Sequence, residues 1–260
     1  MLTVLVTGCA GFIGSHLSER LLSEGHRVIG IDNFDAFYDH SLKEANLAVL
    51  RQHSRFTFQE ADLRSGSAAL AATLPAAPYN AVIHLAAKAG VGPSLRDPAA
   101  YIENNVLGTT HLLEWMRKHN IKNLLFASSS SVYGNTPAIP FREDEPLLAR
   151  CISPYAASKL AGEELTFTYH HLYQMNVLNA RFFTVYGPRQ RPDLAIHKFA
   201  RLLRAGLSIP VYGDGSTSRD YTFVADTVDG IVRGLGYILD NPGVYETVNL
   251  GNSQPTRLVA

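Results

Sequence analysis

The sequence predicts an α/β protein built on a doubly wound parallel sheet, with a smaller lobe formed by the C-terminal part of the chain. Three observations carry this prediction. Short runs rich in Val, Ile and Leu recur, stretches of helix length separate them, and the first run opens directly into a loop carrying Gly8, Gly11 and Gly14. Strands that are apolar throughout, alternating with helices, belong to a parallel sheet covered on both faces.

In chain order, "LTVLV" is the first strand, and its glycine loop leads into the helix "FIGSHLSERLLSEG". "RVIGI" and "RFTFQ" are the next two strands, followed by an alanine-rich "AALAATLPAAP" that reads as a helix with its exit loop. "AVIHLA" is the fourth strand, "NVLGTTHLLEWMRKHN" a helix and "NLLFAS" the fifth strand. A further helix starts at Ser153, a good N-cap, and Pro154, which suits the first helical position. "NVLNAR" is the sixth strand. After "RFFTVYGPRQRPD" the rhythm changes to a helix near 194–205, a short strand "IPVYG", a polar turn "DGSTSRD", the helix "VADTVDGIVRGLGYIL" and a strand near 244–250. The expected division is a main unit over 1–181 and, over 182–260, a smaller lobe with some segments returning to the main unit.

A chain of 260 residues buries a full-sized core and suits one such domain with an appendage. Lys plus Arg and Asp plus Glu each total 23, so no global charge favours nucleic acid or an anionic membrane, and any anion must be bound locally. The two cysteines, Cys9 and Cys151, lie far apart and offer neither metal-ligand spacing nor a disulfide framework. The N-terminus lacks the basic lead and long apolar run of a signal peptide, and no apolar run approaches the roughly 20 residues that span a bilayer. The expectation is a reduced, cytoplasmic protein without a metal, membrane or nucleic-acid partner.

The loop "VLVTGCAGFIGSHL" sits between a strand and a helix, where glycines let backbone approach a pyrophosphate and the helix N-terminus offers unpaired N–H groups. A glycine-rich turn needed only for packing is the competing reading. Asp32 ends the second strand about 20 residues further on, where a carboxylate accepts hydrogen bonds from an adenosine ribose and repels a ribose phosphate, favouring NAD over NADP. Asp62, at the end of the third strand, either meets the adenine edge or caps the following turn.

Tyr155 and Lys159, four residues apart in "SPYAASK", share one face in the first turns of a helix. The ammonium and the helix N-terminus are expected to pull the phenol below its reference pKa of about 10 and make Tyr155 a general base. An amphipathic surface pair is the alternative. The serine cluster in "LLFASSSSVYG" places hydroxyls at a central strand end, where they either share a substrate oxygen with Tyr155 or begin a turn.

With these motifs in this order, and with "DNFDAFYD", "HLAAKAGV", "NNVLGT", "RFFTVYGPRQRPD" and "RDYTFV", the chain resembles the extended short-chain dehydrogenase/reductase superfamily, in particular its nucleotide-sugar epimerases and dehydratases. The resemblance covers essentially the whole chain. It implies a Rossmann NAD-binding domain over 1–181, a substrate lobe in 182–260 that is shorter than usual and so truncated, and a homodimer. It makes Tyr155 the base, Lys159 its tuner and nicotinamide-ribose ligand, and Ser129 the assisting hydroxyl, with Ser130 as the fallback. By the same resemblance Gly8, Gly11, Phe12, Ile13, Gly14, Asp32, Asn33, Asp62, Leu63, Leu85, Ala86, Ala87, Lys88 and Asn105 line NAD. Thr184, Arg191, Tyr212 and Arg219 contact a UDP-sugar.

Related dehydratases carry an Asp-Glu pair just after the assisting hydroxyl, where this chain has Ser130 and Ser131; related decarboxylases carry Glu at the second of these positions. The resemblance therefore implies C4 epimerisation through a transient 4-keto sugar. Arg191 suits a hexuronate carboxylate, since a guanidinium pairs with it through two hydrogen bonds. Alternatively, Arg191 or Arg189 forms a loop ion pair with Asp193. Thr184 stands where epimerases of neutral UDP-hexoses usually carry Asn. A neutral-hexose epimerase and, from a different class, a non-catalytic NAD-binding scaffold or sensor are the other readings.

Overall fold

The computed structural model describes residues 1–137, 139–144, 147, 150–210 and 217–257. Its strands, in chain order, are Thr3–Thr7 (β1), Arg27–Asp32 (β2), Phe56–Glu60 (β3), Ala81–His84 (β4), Asn123–Ser129 (β5), Asn176–Phe182 (β6), Thr184–Tyr186 (β7), Ser218–Phe223 (β8), Tyr245–Leu250 (β9) and Pro255–Arg257 (β10). The α-helices are Phe12–Ser23 (α1), His40–Leu50 (α2), Ser67–Thr73 (α3), Val91–Arg96 (α4), Pro98–Ile102 (α5), Gly108–Lys118 (α6), Pro154–Tyr173 (α7), Ala195–Arg204 (α8) and Val224–Asp240 (α9).

All six apolar runs read from the sequence become strands of one sheet, in the order β3-β2-β1-β4-β5-β6-β9. Every neighbouring pair in it is parallel. The strands are apolar throughout because both faces are covered. Val4 and Val6 of β1 pack with Leu17 and Leu21 of α1 and Ile231 and Leu235 of α9, while Leu5, between them, joins Leu112 and Trp115 of α6 on the other face. That alternation follows from the two-residue period of a strand. Sheet order turns back between β1 and β4, which opens a crevice at the carboxyl ends of the strands.

The helix from Ser153 forms as read: the Ser153 hydroxyl accepts the Ala156 N–H at 3.1 Å, and Pro154 occupies the first turn. It ends at Gln174, whose left-handed φ of 54° lets its N–H reach the His170 carbonyl. "NVLGTTHLLEWMRKHN" is less regular than expected, since Glu103–Leu107 is a π-helical turn that runs into α6.

In the C-terminal part α9 and β9 are segments of 182–260 that lie with the main sheet. β9 pairs in parallel with β6, Ala180 opposite Val248, and the buried Val228, Ile231, Leu235 and Ile238 of α9 cover the face already held by α1. The polar "DGSTSRD" is not a turn throughout, because Ser218–Asp220 begin β8, paired antiparallel with β10 and parallel with β7 in a separate three-stranded sheet. Of "IPVYG", Ile209 and Pro210 are not in a strand, and residues 211–213 lie outside the described residues.

Helix α7 lies directly on β5 because Gly162 faces the Phe126 ring. A Cβ at Gly162 would come within 2.9 Å of Phe126 Cε1 and closer still to Cζ. Gly162→Ala is therefore expected to destabilise the fold by about 1–3 kcal/mol despite the better helix propensity of Ala, a loss read as a lower midpoint in urea denaturation.

Candidate active site

A cavity of about 400 Å³ occupies the crevice at the carboxyl ends of the parallel strands. At one end lies the glycine loop. Gly8 has φ of 72°, and its N–H bonds the Ile31 carbonyl at 2.7 Å, tying the loop to β2. A Cβ on Gly14 would overlap the Gly8 carbonyl, so the chain can pass here only without a side chain. Helix α1 begins at Gly11 with no side-chain cap and no acidic residue in its first turn, which leaves its N-terminal N–H groups for an anion. Gly8, Gly11, Phe12, Ile13 and Gly14 all border the cavity, and the bare cradle with an uncapped helix end fits a dinucleotide pyrophosphate.

Three carboxylates line the cavity, and each has a cationic partner. Asp32, at the end of β2, accepts the Phe34 N–H at 2.9 Å and the Lys43 ammonium at 3.2 Å, with both side chains of this ion pair buried. Asp62 accepts the Arg64 backbone N–H at 2.8 Å, as a turn cap does, and its Oδ2 takes Arg64 Nη2 at 2.6 Å and Asn33 Nδ2 at 3.2 Å. Hydrogen bonds from Arg64 outweigh burial and hold this carboxyl down to about 2. The capping alternative for Asp62 is thus realised, and the residue faces the cavity as well. Asp35 accepts from the Lys88 ammonium at 3.0 Å. Asn33, Leu63, Leu85, Ala86, Ala87 and Lys88 also line the cavity.

Asn105, expected at the same surface, does not border it. It is buried in the π-helical turn, where its Oδ1 accepts the Lys88 N–H at 2.8 Å while its Nδ2 donates to the Lys88 carbonyl and to the Ser158 hydroxyl, both at 2.9 Å. Its neighbour Asn104 takes the place at the cavity wall. Asn105 acts on the wall from behind, by clamping the backbone that presents it.

At the other end, Ser129, Ser130, Tyr155 and Lys159 meet around the end of β5. Ser129 is buried and accepts the Ser131 N–H at 3.2 Å, so the turn-initiating reading of the serines is also correct. Ser128, one residue earlier on β5, also borders the cavity and donates to Glu163 of α7 in a buried bond. Tyr155 packs edge-on against Tyr101 at 6.1 Å between ring centroids. The expected depression of its pKa is corrected: burial raises the phenol above its ordinary value, opposed in smaller measure by a hydrogen bond with Ser129 and the charge of Arg191. Lys159 does not offset this because its ammonium donates to the Ala127 carbonyl at 2.7 Å, and its own pKa falls to about 8 through burial, a drop limited by the charge of Glu163. Such a lysine is still mainly protonated at neutral pH and loses its charge as pH rises through about 8.

On the sugar side, Thr184 and Arg191 line the cavity. The loop ion pair weighed against Arg191 is formed: Nε and Nη2 hold the two Asp193 oxygens at 3.0 and 2.9 Å, Nη2 also donates to the Ala89 carbonyl, and the guanidinium lies 5.0 Å from the Phe37 ring centre. A two-pronged grip on a substrate would have to displace Asp193. Arg189 pairs with Glu19 instead. Arg219 is exposed on β8, folds onto its own Ser218 carbonyl at 2.8 Å and does not border the cavity. Tyr212 lies outside the described residues. Lining residues that motif reading did not reach include Phe37, Tyr38, Lys43, Arg64 and Phe183. Phe37 and Tyr38 sit inside the motif "DNFDAFYD", but only the packing of α2 brings Lys43 back to Asp32.

Among the described residues no group of His, Cys, Asp and Glu is arranged to hold a metal, and no helix is long and apolar enough to cross a membrane. The family model described as NAD dependent epimerase/dehydratase matches residues 4–251. A UDP-glucuronate 4-epimerase of Thermodesulfobacterium geofontis is 42% identical over 96% of this chain and 75% of its own length. A probable UDP-glucuronate 4-epimerase of Rhizobium meliloti is 39% identical over 98% of this chain and 79% of its own. The crystal structure of a UDP-glucuronic acid 4-epimerase from Bacillus cereus, in complex with UDP-glucuronic acid and NAD, superimposes with a TM-score of 0.90 at 35% identity, covering 99% of this chain and 80% of that one.

Gly14→Ala is expected to close the cradle. The variant should purify without the dinucleotide that denaturation releases from the parent protein, as read by chromatography of the released nucleotide.

Proposed function

We propose that this chain, which belongs to the NAD dependent epimerase/dehydratase family, interconverts UDP-glucuronate and UDP-galacturonate by inverting C4 of the hexuronate through a 4-keto intermediate. The observation that carries this reading is the distribution of acids in the cleft. Among the described lining residues the carboxylates are Asp32, Asp35 and Asp62, all at or just beyond the ends of β2 and β3 and all ion-paired. At the β5 end the polar lining is serine, Tyr155, Lys159, Thr184 and Arg191. A 4,6-dehydratase needs an extra acid and base at C5 and C6, and the described residues at this end of the cleft include no carboxylate. Oxidation and re-reduction at C4 need only one proton carrier.

The glycine cradle and the α1 N-terminus would hold the NAD pyrophosphate, Asp32 with Lys43 the adenosine ribose, Asp62 and Leu63 the adenine, and Lys159 the nicotinamide ribose. When bound, NAD supplies reversible acceptance of the C4 hydrogen with its electron pair, and brings a positive ring to the place where burial holds the Tyr155 phenol high. Tyr155 takes the proton of the sugar 4-hydroxyl as the ketone forms and returns it to that same oxygen when the C4 hydrogen is restored on the opposite face of the carbon. The Ser129 hydroxyl donates to the same oxygen. Arg191, with Nε and Nη2 committed to Asp193, offers Nη1 and its charge to the hexuronate carboxylate. The two relatives' names and the Bacillus cereus complex support UDP-glucuronate over a neutral UDP-hexose.

The same reading takes residues 1–181 as the NAD-binding unit and 182–260 as mainly the substrate lobe, in a cytoplasmic homodimer. The exposed apolar Ile102, Leu107, Phe167 and Leu172 on and between α5 and α7 support self-association.

Incubation with UDP-glucuronate, followed by proton NMR of the sugar, should show UDP-galacturonate accumulating. Tyr155→Phe should abolish this turnover while the protein retains its dinucleotide; a near-normal rate would remove Tyr155 from the chemistry. Retained dinucleotide with no turnover in the parent protein would favour the sensor reading. Arg191→Ala should lower kcat/KM for UDP-glucuronate at least about tenfold more than for UDP-glucose, the cost of a charge-assisted hydrogen bond. Equal losses on both sugars would withdraw the carboxylate contact.

A further inference from the structure

Beneath the serine cluster lies a buried ion pair that the proposed chemistry does not use. Glu163 of α7 and Arg181 of β6 are 5% and 6% exposed. Glu163 Oε1 accepts Arg181 Nε at 3.0 Å and Oε2 accepts Nη2 at 2.8 Å, while the Ser128 hydroxyl donates to Oε1. The guanidinium is covered by the Tyr133 ring at 4.8 Å, and the Tyr133 hydroxyl donates to Asn249 Oδ1 at 2.8 Å. Ser128, Arg181 and Asn249 stand opposite one another in register across β5, β6 and β9. One carboxylate therefore ties α7 to the strand that ends in Ser129 and to the strand beside it.

Glu163 also stands one helical turn beyond Lys159 on the same face of α7. The groups facing Lys159 are few. From β5 come the Ala127 carbonyl, which accepts its proton, and the Phe126 ring, 5.2 Å from the ammonium. From β4 comes His84, kept neutral by burial and by the Lys159 charge, its pKa pushed down to about 3. Tyr155, on α7 itself, is a neutral phenol at ordinary pH. Among the described residues Glu163 is the one charged side chain that acts on Lys159, and it favours the ammonium.

We propose that Glu163 is a positioning residue: its carboxylate is the counter-charge of the Lys159 ammonium and the anchor that holds the end of β5, with Ser129, against α7. An acidic neighbour is useful here because a fully buried lysine otherwise sheds its proton. Charge on Lys159 strengthens the hydrogen bonds it is assigned to give the nicotinamide ribose, so the inference rests on the function proposed above. Arg181 completes the unit by fixing the carboxylate plane through two hydrogen bonds.

The test compares Glu163→Gln, Glu163→Asp and the double variant Glu163→Gln/Arg181→Met with the parent, all carrying their dinucleotide. Two readouts are used: the pH profile of kcat, and the titration of Lys159 by NMR of ¹³Cε-lysine, assigned with Lys159→Met. In Glu163→Gln the Lys159 pKa and the alkaline limb of the profile should both move down by about one pH unit. Glu163→Asp keeps the charge and shortens the reach, so kcat should fall with the limb within a few tenths of its parent position. Removing one partner strands a buried charge and threatens folding; the double variant removes that charge, should fold, and should move Lys159 in the same direction by less, because a cation leaves with the carboxylate. A folded Glu163→Gln or double variant whose Lys159 titrates as in the parent overturns the proposal, as does failure of both to fold, which would make the pair purely structural. A parent protein without epimerase turnover defeats the proposed function alone, since the lysine titration is read without turnover.

Discussion

Close contact between α7 and β5 is the constraint on which the site depends. Gly162 removes the one side chain that would hold the helix off the Phe126 ring, and Ser153 and Pro154 fix where the helix starts. Start and distance together place Tyr155 and Lys159, one and two turns in, over the end of the strand that carries Ser129. The terminal serines of β5 both border the cavity and differ in partner: Ser128 is spent on Glu163, and Ser129 is free of that tie. A helix set even one methyl group higher would separate the phenol from that hydroxyl, because packed interiors pass such displacements on rather than absorbing them.

Charge in the cleft is arranged pairwise. Asp32 with Lys43, Asp35 with Lys88, and Asp62 with Arg64 cancel one another, in a chain whose formal charge is also zero. An anionic ligand therefore meets no strong field from these side chains. The attraction left for a pyrophosphate is the uncapped start of α1 and the bare glycine backbone, which acts at short range and with direction. At the opposite end burial dominates: it raises Tyr155, lowers Lys159, and leaves the histidine between Thr7 and Thr109 neutral.

Much of this was legible along the chain because the signals were local. Apolar runs gave the strands, Ser153-Pro154 gave the helix start, and glycine spacing gave the cradle, each within a few residues. Departures arose where a residue answered to a protein partner, near or distant, instead of to the cavity. Asn105 was read as wall and proved to be its buckle, since its amide closes on Lys88 and Ser158. Arg191 suited a substrate carboxylate, yet Asp193, two residues away, had first claim on two of its nitrogens. Arg219 lies in a motif but turns back onto its own strand. α9 and β9 follow a break in rhythm, and their place in the main sheet came from an apolar helix face that only α1's side of the sheet could cover.

By itself the sequence determined the class of fold, the order of its principal strands, and the residue types that converge on the crevice, because hydrophobic period, capping and backbone permissiveness are properties of neighbouring residues. Tertiary structure alone decided the state of those groups: which serine is tied to Glu163, which way the Tyr155 phenol shifts, and which acid stands beside the Lys159 ammonium. Those outcomes depend on burial and on charges brought together from separate elements, and Coulomb and desolvation energies act through space and take no account of separation along the chain.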